Sequence, residues 1–259
     1  MLSGVRLFKQ VVIAVIVLLI FGGAFYFVAN KVSPPVATPT PDPRATLAPI
    51  AVIDTTLLRV GDNDYDVLVK VKNPNSEYGS PEATYTLSLT DDSGKEVYSN
   101  TDVLYIFPGQ TKYVLVSPVT TKEPATKATL NITGVLWERL DTLGLYDINF
   151  VSANSKFSNV VQAPITGKAY GSIVNKSDYD IAQVDVVVVL QDADKHPIAA
   201  NRSEIRTFIA KSTRGFESAW FSPIVGNVVS VMIEANANLF ENANFLRTYG
   251  SQERFQQNY

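Results

Sequence analysis

The sequence predicts an all-β fold: two tandem immunoglobulin-like β-sandwich domains, preceded by one N-terminal transmembrane α-helix. Three observations carry this. Val11 to Ala29 is a run of nineteen residues with no charge and no proline. After residue 50, apolar and polar residues alternate with a period of two, as in strands with one face on a core. The two halves of that region also repeat the same features in the same order, about 100 residues apart.

Residues 1–10 read as a short cytoplasmic N-terminus and residues 11–30 as the transmembrane helix. At 1.5 Å per residue the nineteen-residue run reaches about 28 Å, close to the roughly 30 Å hydrocarbon core. Arg6 and Lys9 precede it and Lys31 follows it. That basic bias puts the N-terminus in the cytoplasm and the domains outside, at the cell membrane. A cleaved signal peptide is the competing reading, because Val11–Phe21 has the length of a secretory core and Gly22-Gly23-Ala24 follows. Cleavage would leave Phe25-Tyr26-Phe27-Val28-Ala29 as an apolar new terminus, so the uncleaved anchor is favoured.

Residues 31–49 form a linker. Pro34, Pro35, Pro39, Pro41, Pro43 and Pro49 bar helix and sheet there and favour extended polyproline II. The seventeen residues Ser33 to Pro49 span up to about 50 Å, which suits a stalk.

Residues 50–140 and 146–240 are the two sandwiches, and 241–259 is a polar C-terminal extension. In the first domain Tyr65, Val67, Val69 and Val71 alternate with Asp66, Leu68, Lys70 and Lys72. Ala83, Tyr85, Leu87 and Leu89 alternate with Thr84, Thr86, Ser88 and Thr90. In the second, Val229, Val231, Ile233 and Ala235 are expected inside, with Ser230, Met232, Glu234 and Asn236 in water. The stretch Leu87–Val97 aligns with Val188–Ile198, Asn73 with Asn175, and Ile106–Thr111 with Phe208–Thr213. Each half then reaches a Ser-Pro, at Ser117-Pro118 and Ser222-Pro223. Asp91-Asp-Ser-Gly94 reads as a hairpin turn. The best local helix candidate after residue 50 is the short Leu136–Leu145.

Leu87-Ser-Leu-Thr-Asp91, the Gly94-Lys95 turn and Val69-Lys-Val-Lys-Asn73 resemble the strand, turn and hairpin of bacterial FxLYD-type domains. Neither repeat carries the Tyr or the Phe of that signature; Leu143-Gly-Leu-Tyr-Asp147 matches its letters but lies between the domains. Val71-Lys-Asn-Pro-Asn75 resembles late-embryogenesis-abundant type 2 domains, sandwiches that often follow a membrane helix. Both resemblances imply an extracytoplasmic binding or structural module and imply no activity.

Composition narrows the function classes. The chain holds 22 Lys plus Arg against 25 Asp plus Glu. All of the acids lie after residue 31, so the part outside the membrane is acidic, which argues against a nucleic-acid partner. With no cysteine there is no disulfide scaffold and no thiolate site, and one histidine makes His-based chemistry unlikely on supply alone. No catalytic, cofactor-binding or metal residue is expected. Asp192, Asp194 and His196 offer a metal-ligating trio, read as a turn. Asp62, Asp64 and Asp66 have the oxygen ligands of a calcium site but not the EF-hand spacing.

Val184–Leu190 is apolar on both faces apart from Asp185, which implies a second layer over that strand. Val187 and Val189 therefore form a candidate partner surface, facing the other domain or another protein. Trp220 and Phe221 join it, since adjacent strand residues send one ring in and one out. The expected role is a non-catalytic binding or scaffolding protein of the cell envelope, with the bilayer as partner of residues 11–29 and another envelope or membrane protein as partner of the head. The rival readings are a subunit of a larger membrane complex and an envelope-acting hydrolase using carboxylates.

Overall fold

In a computed structural model of the chain, residues 2–31, 43–140, 148–160 and 163–248 are described. They fall into two units, divided after Ala45.

The first unit holds one helix, α1 (Leu2–Lys31). It begins before the predicted span, because nothing in residues 2–10 breaks a helix. Within it Arg6–Phe27, 22 residues with a mean hydropathy of 2.5, is long and apolar enough to cross a membrane, and none of it is buried by protein. Residues 32–42 of the expected stalk lie outside the described residues. Pro43–Thr46 is a single 3-10 turn rather than extended chain. Pro43 opens that turn, a position where its missing N–H costs nothing.

The second unit is β-rich. Its first half contains β1 (Ala51–Arg59), β2 (Asp64–Lys72), β3 (Tyr78–Thr90), β4 (Glu96–Ile106), β5 (Thr111–Thr120) and β6 (Lys127–Arg139). Its second half contains β7 (Phe150–Asn159), β8 (Gly167–Asn175), β9 (Tyr179–Gln191), β10 (Pro197–Phe208), β11 (Thr213–Trp220), β12 (Ser230–Asn236) and β13 (Phe245–Thr248). They make four small antiparallel sheets: β1-β2-β5 and β4-β3-β6, then β7-β8-β11 and β10-β9-β12, with β13 added to β9. Strand for strand, the second pair of sheets repeats the order of the first. Leu136–Arg139 belongs to β6, so the short helix is not formed there; β6 pairs with β3 as far as Arg139. Residues 141–147, which hold the Leu143–Asp147 string, lie outside the described residues.

Each pair of sheets shares one apolar core. In the first half it is built from Tyr65, Val67, Val69 and Val71 of β2 and Ala83, Tyr85, Leu87 and Leu89 of β3, all buried. In the second half it is built around Ile173, Val184, Val186, Val188, Leu190, Phe208 and Trp220. The β2 and β3 positions and Val186, Val188 and Leu190 are those the alternation marks as inward; Val229, expected inside with Val231, Ile233 and Ala235, is 58% exposed because it precedes β12.

The ends of the sheets are joined by one device used twice. The Asn73 side-chain amide donates to the Tyr78 and Phe107 carbonyls at 2.7 and 3.0 Å, and its oxygen accepts the Asn75 N–H at 3.0 Å. The Asn175 amide donates to the Tyr179 and Phe208 carbonyls at 2.9 and 3.2 Å, and its oxygen accepts the Ser177 N–H at 3.0 Å. Both asparagines are fully buried, so these bonds satisfy amides that have no water to turn to.

Between β12 and β13 the chain leaves the sheet. Asn244 fills the gap: its side chain accepts the Gln183 N–H at 2.7 Å and donates to the Gln183 carbonyl at 3.1 Å, as a paired strand residue would. The excursion carries Phe240 onto Phe107 of the first half, rings stacked at 5.2 Å. Gly79 leaves the room: a Cβ there would lie 2.9 Å from the Phe240 ring and 2.8 Å from the Ile106 carbonyl oxygen.

Candidate functional site

The two halves meet at a seam with an apolar centre. Leu58 of β1 and Leu68 of β2 pack with Val187 and Val189 of β9 and Ala200 of β10; Tyr113, Leu115 and Met232 surround them. Leu68, assigned to the watery face by its alternation, is 1% exposed, and Val189 is 0% exposed. The face of β12 expected in water likewise turns to this seam. Met232 packs into it, and Glu234 and Asn236 reach across it. Alternation reports only that a strand has two faces. It cannot report that the outer one meets the other half of the unit.

The polar edge of the seam follows. The Glu234 carboxylate accepts the Tyr113 N–H at 2.9 Å and an Asn236 N–H at 2.7 Å. Gln110 donates to Asn236 Oδ1 at 2.9 Å. Strand β5 lies at the edge of its sheet, so Glu234 satisfies an edge donor that has no neighbouring strand. Burial pushes the Glu234 carboxyl above the usual carboxylate range, against the pull of those hydrogen bonds. Lys112 is 6% exposed and donates to the Tyr105 carbonyl at 3.1 Å, its ammonium 3.4 Å from the centre of the Tyr105 ring. Burial lowers its pKa to about 8, although Glu234 and Asp185 oppose this. Burial also raises the Tyr105 hydroxyl far above its ordinary range, with Asp185, Glu234 and Glu241 adding to the shift.

Beside these groups lies a cavity of about 420 Å³, walled by β4 and β5 of the first half and by β9, β10 and the excursion of the second. Nothing in the sequence singles out Lys112, Tyr105 or Glu234. Lys112 and Tyr105 meet within the first half, and the docking of the halves adds Glu234 from the second.

The four predicted surface residues part company. Val187 and Val189 are covered by the first half of the same chain. Trp220 is 5% exposed in the second core, its indole N–H donating to the Ala200 carbonyl at 3.2 Å and its ring edge-on to Phe157. Phe221 is 64% exposed, just past β11.

The ligand atoms of Asp192, Asp194 and His196 lie within 4.8 Å of one another. Yet Asp192 Oδ1 already accepts the N–H groups of Asp194 and His196 at 3.0 and 2.9 Å. Asp91 does the same for Ser93 and Lys95 at 2.8 and 3.0 Å, in the matching turn that has no histidine. Lys195 takes the positive-φ position that Gly94 fills in the first half. The arrangement is a turn motif first. Asp64 accepts from Thr120 at 2.7 Å, Asp66 is buried against Ser117, and Asp62 lies 3.8 Å from Arg59. These three acids serve different partners and do not converge.

No family model matches the chain, and no curated protein does. Solved structures similar to it include red sea bream transglutaminase, 14% identical over 71% of this chain and 28% of that one, with a TM-score of 0.22. An exo-chitosanase, CsxA, from Amycolatopsis orientalis is 17% identical over 70% of this chain and 26% of its own, with a TM-score of 0.21. The chain thus spans about a quarter of the length of either protein, and at these TM-scores neither fold nor activity carries over.

Proposed function

We propose that this chain is a single-pass membrane protein whose two tandem immunoglobulin-like sandwiches stand outside the cytoplasm as one non-catalytic binding or scaffolding head of the cell envelope. The observation that carries the reading is α1: the apolar span Arg6–Phe27 has no protein cover at all. Apolar surface of that extent needs a lipid phase. The sandwich assignment draws on the paired sheets with matching strand order and one core per pair. Head and anchor then divide the work, the helix fixing location and the β unit presenting surface.

The test is protease added to intact cells, followed by crosslinking and pull-down with the full-length protein and a helix-deleted control. The expected result is digestion of the head from outside, and a partner captured in proportion to the full-length protein alone. A head protected until the cells are lysed overturns the orientation. Release of the full-length protein by carbonate washing overturns the anchor.

A further inference from the structure

We propose that the trough along the seam between the two halves binds an extended basic peptide segment; this rests on reading the head as a binding module. The cavity of about 420 Å³ adjoins a second of about 470 Å³, the two sharing Tyr105, Asp185, Asn238 and Glu241. Four consecutive residues of β4, from Asp102 to Tyr105, line the first cavity, as do four of β5, from Lys112 to Leu115. Successive side chains of a strand point to opposite faces. Four in a row line one space only where the strand turns its edge toward it. Both strands are sheet edges whose Val103 N–H, Tyr105 carbonyl and Tyr113 N–H are already taken by Asp102, Lys112 and Glu234, so an extended chain lies in the trough between them on side-chain contacts.

Charge selects which chain. The rim carries Glu82, Asp102, Asp185 and Glu241, all exposed, against Arg202. The floor is different. Among the described residues, the one hydrogen bond of the buried Lys112 ammonium is to the Tyr105 carbonyl. The Tyr105 hydroxyl is buried with no partner. Buried donors lacking acceptors are costly, and the carbonyls of a peptide backbone are acceptors. Backbone carbonyls toward the Lys112 ammonium and basic side chains toward the rim fit one ligand; the Tyr105 hydroxyl, wholly enclosed, is out of its reach. A free anion would meet Lys112 but also the Asp185 and Glu241 carboxylates.

The experiment uses the full-length protein in nanodiscs of neutral lipid. It is titrated calorimetrically with a short peptide alternating lysine and valine, and with its glutamate–valine counterpart. The lysine peptide is expected to bind saturably and the glutamate peptide not at all. Asp185→Lys with Glu241→Lys, both on exposed side chains, is expected to weaken binding about tenfold or more while the fold is kept, read as an unchanged far-ultraviolet circular dichroism spectrum. Absence of saturable binding, equal binding of both peptides, or indifference to the charge reversal overturns the proposal. If the charge-reversed protein still captures its partner in the pull-down, the trough assignment falls while the binding-module reading stands. If neither assay captures anything, both fall.

Discussion

Asn73 and Asn175 close equivalent joints in the two halves. Each amide donates to the residue that opens the following long strand, Tyr78 or Tyr179, and to the end of the next one, Phe107 just past β4 or Phe208 closing β10. The repetition is therefore one of bonding as well as of strand order.

Replacing either asparagine by alanine removes two or more hydrogen bonds to backbone carbonyls, of which Phe107 keeps the Gln110 N–H as a donor. At about 1–3 kcal/mol for each group left unsatisfied, each variant is expected to lose about 3 kcal/mol. Urea unfolding measures this as a lower midpoint at constant slope. A loss under about 0.5 kcal/mol, the scale of an ordinary surface substitution, would show that water replaces the amide and that the joint is not closed by it.

The seam makes a different prediction. Val187→Thr combined with Val189→Thr puts two hydroxyls into an apolar contact with Leu58 and Leu68. The cost is about 2 kcal/mol or more, since neither hydroxyl finds a partner in that cluster. The loss should fall on the coupling between halves, so a single calorimetric transition is expected to separate into two. An unchanged single transition would mean that the halves are held together by the polar edge instead.

Gly79→Ala tests the second contact across the seam. The added methyl meets the Ile106 carbonyl and the Phe240 ring at once. A loss of about 1–3 kcal/mol is expected, as for other overpacked sites. Phe240→Ala removes one of three obstructions, the third being Leu140 Cδ1 at 3.0 Å, so the double variant should lose less than the sum of the single ones. Strict additivity would place the strain at Ile106 and Leu140.

Much of this was readable from residue order. The Tyr65–Val71 and Ala83–Leu89 stripes reported their buried faces because a strand has only two sides and one was apolar. The Val186–Val189 run reported a second layer, since apolar residues on both sides of a strand need two covers. What covered it was not readable. Leu68 carries the complementary signal in β2, but a lone leucine among Asp66 and Lys70 is indistinguishable from a tolerated surface residue. Glu234 and Lys112 were hidden for the opposite reason: charged residues in alternating strands read as solvent-facing, and burial at a docking seam leaves no local trace. Asn244 was equally silent, because a side chain standing in for a strand residue depends on the register of β9.

Lys112 supplies the pH prediction. Its folded pKa, about 8, lies below the ordinary lysine value of 10.5. Between those two values the unfolded chain binds the proton and the folded chain does not, so stability rises with pH across that window. Below about pH 8 both states are protonated and the full penalty of the buried ammonium is present. A shift of this size corresponds to about 3 kcal/mol. Lys112→Met removes the titrating group while keeping a similar length of apolar stem. The measurement is the stability difference between wild type and Lys112→Met, followed from pH 7 to pH 10, so that tyrosines common to both cancel. That difference is expected to move in favour of the wild type by about 2 kcal/mol or more as pH rises, by the same linkage. A flat difference would mean that the ammonium is compensated in the fold, and that Lys112 is an ordinary cap on the β4 edge.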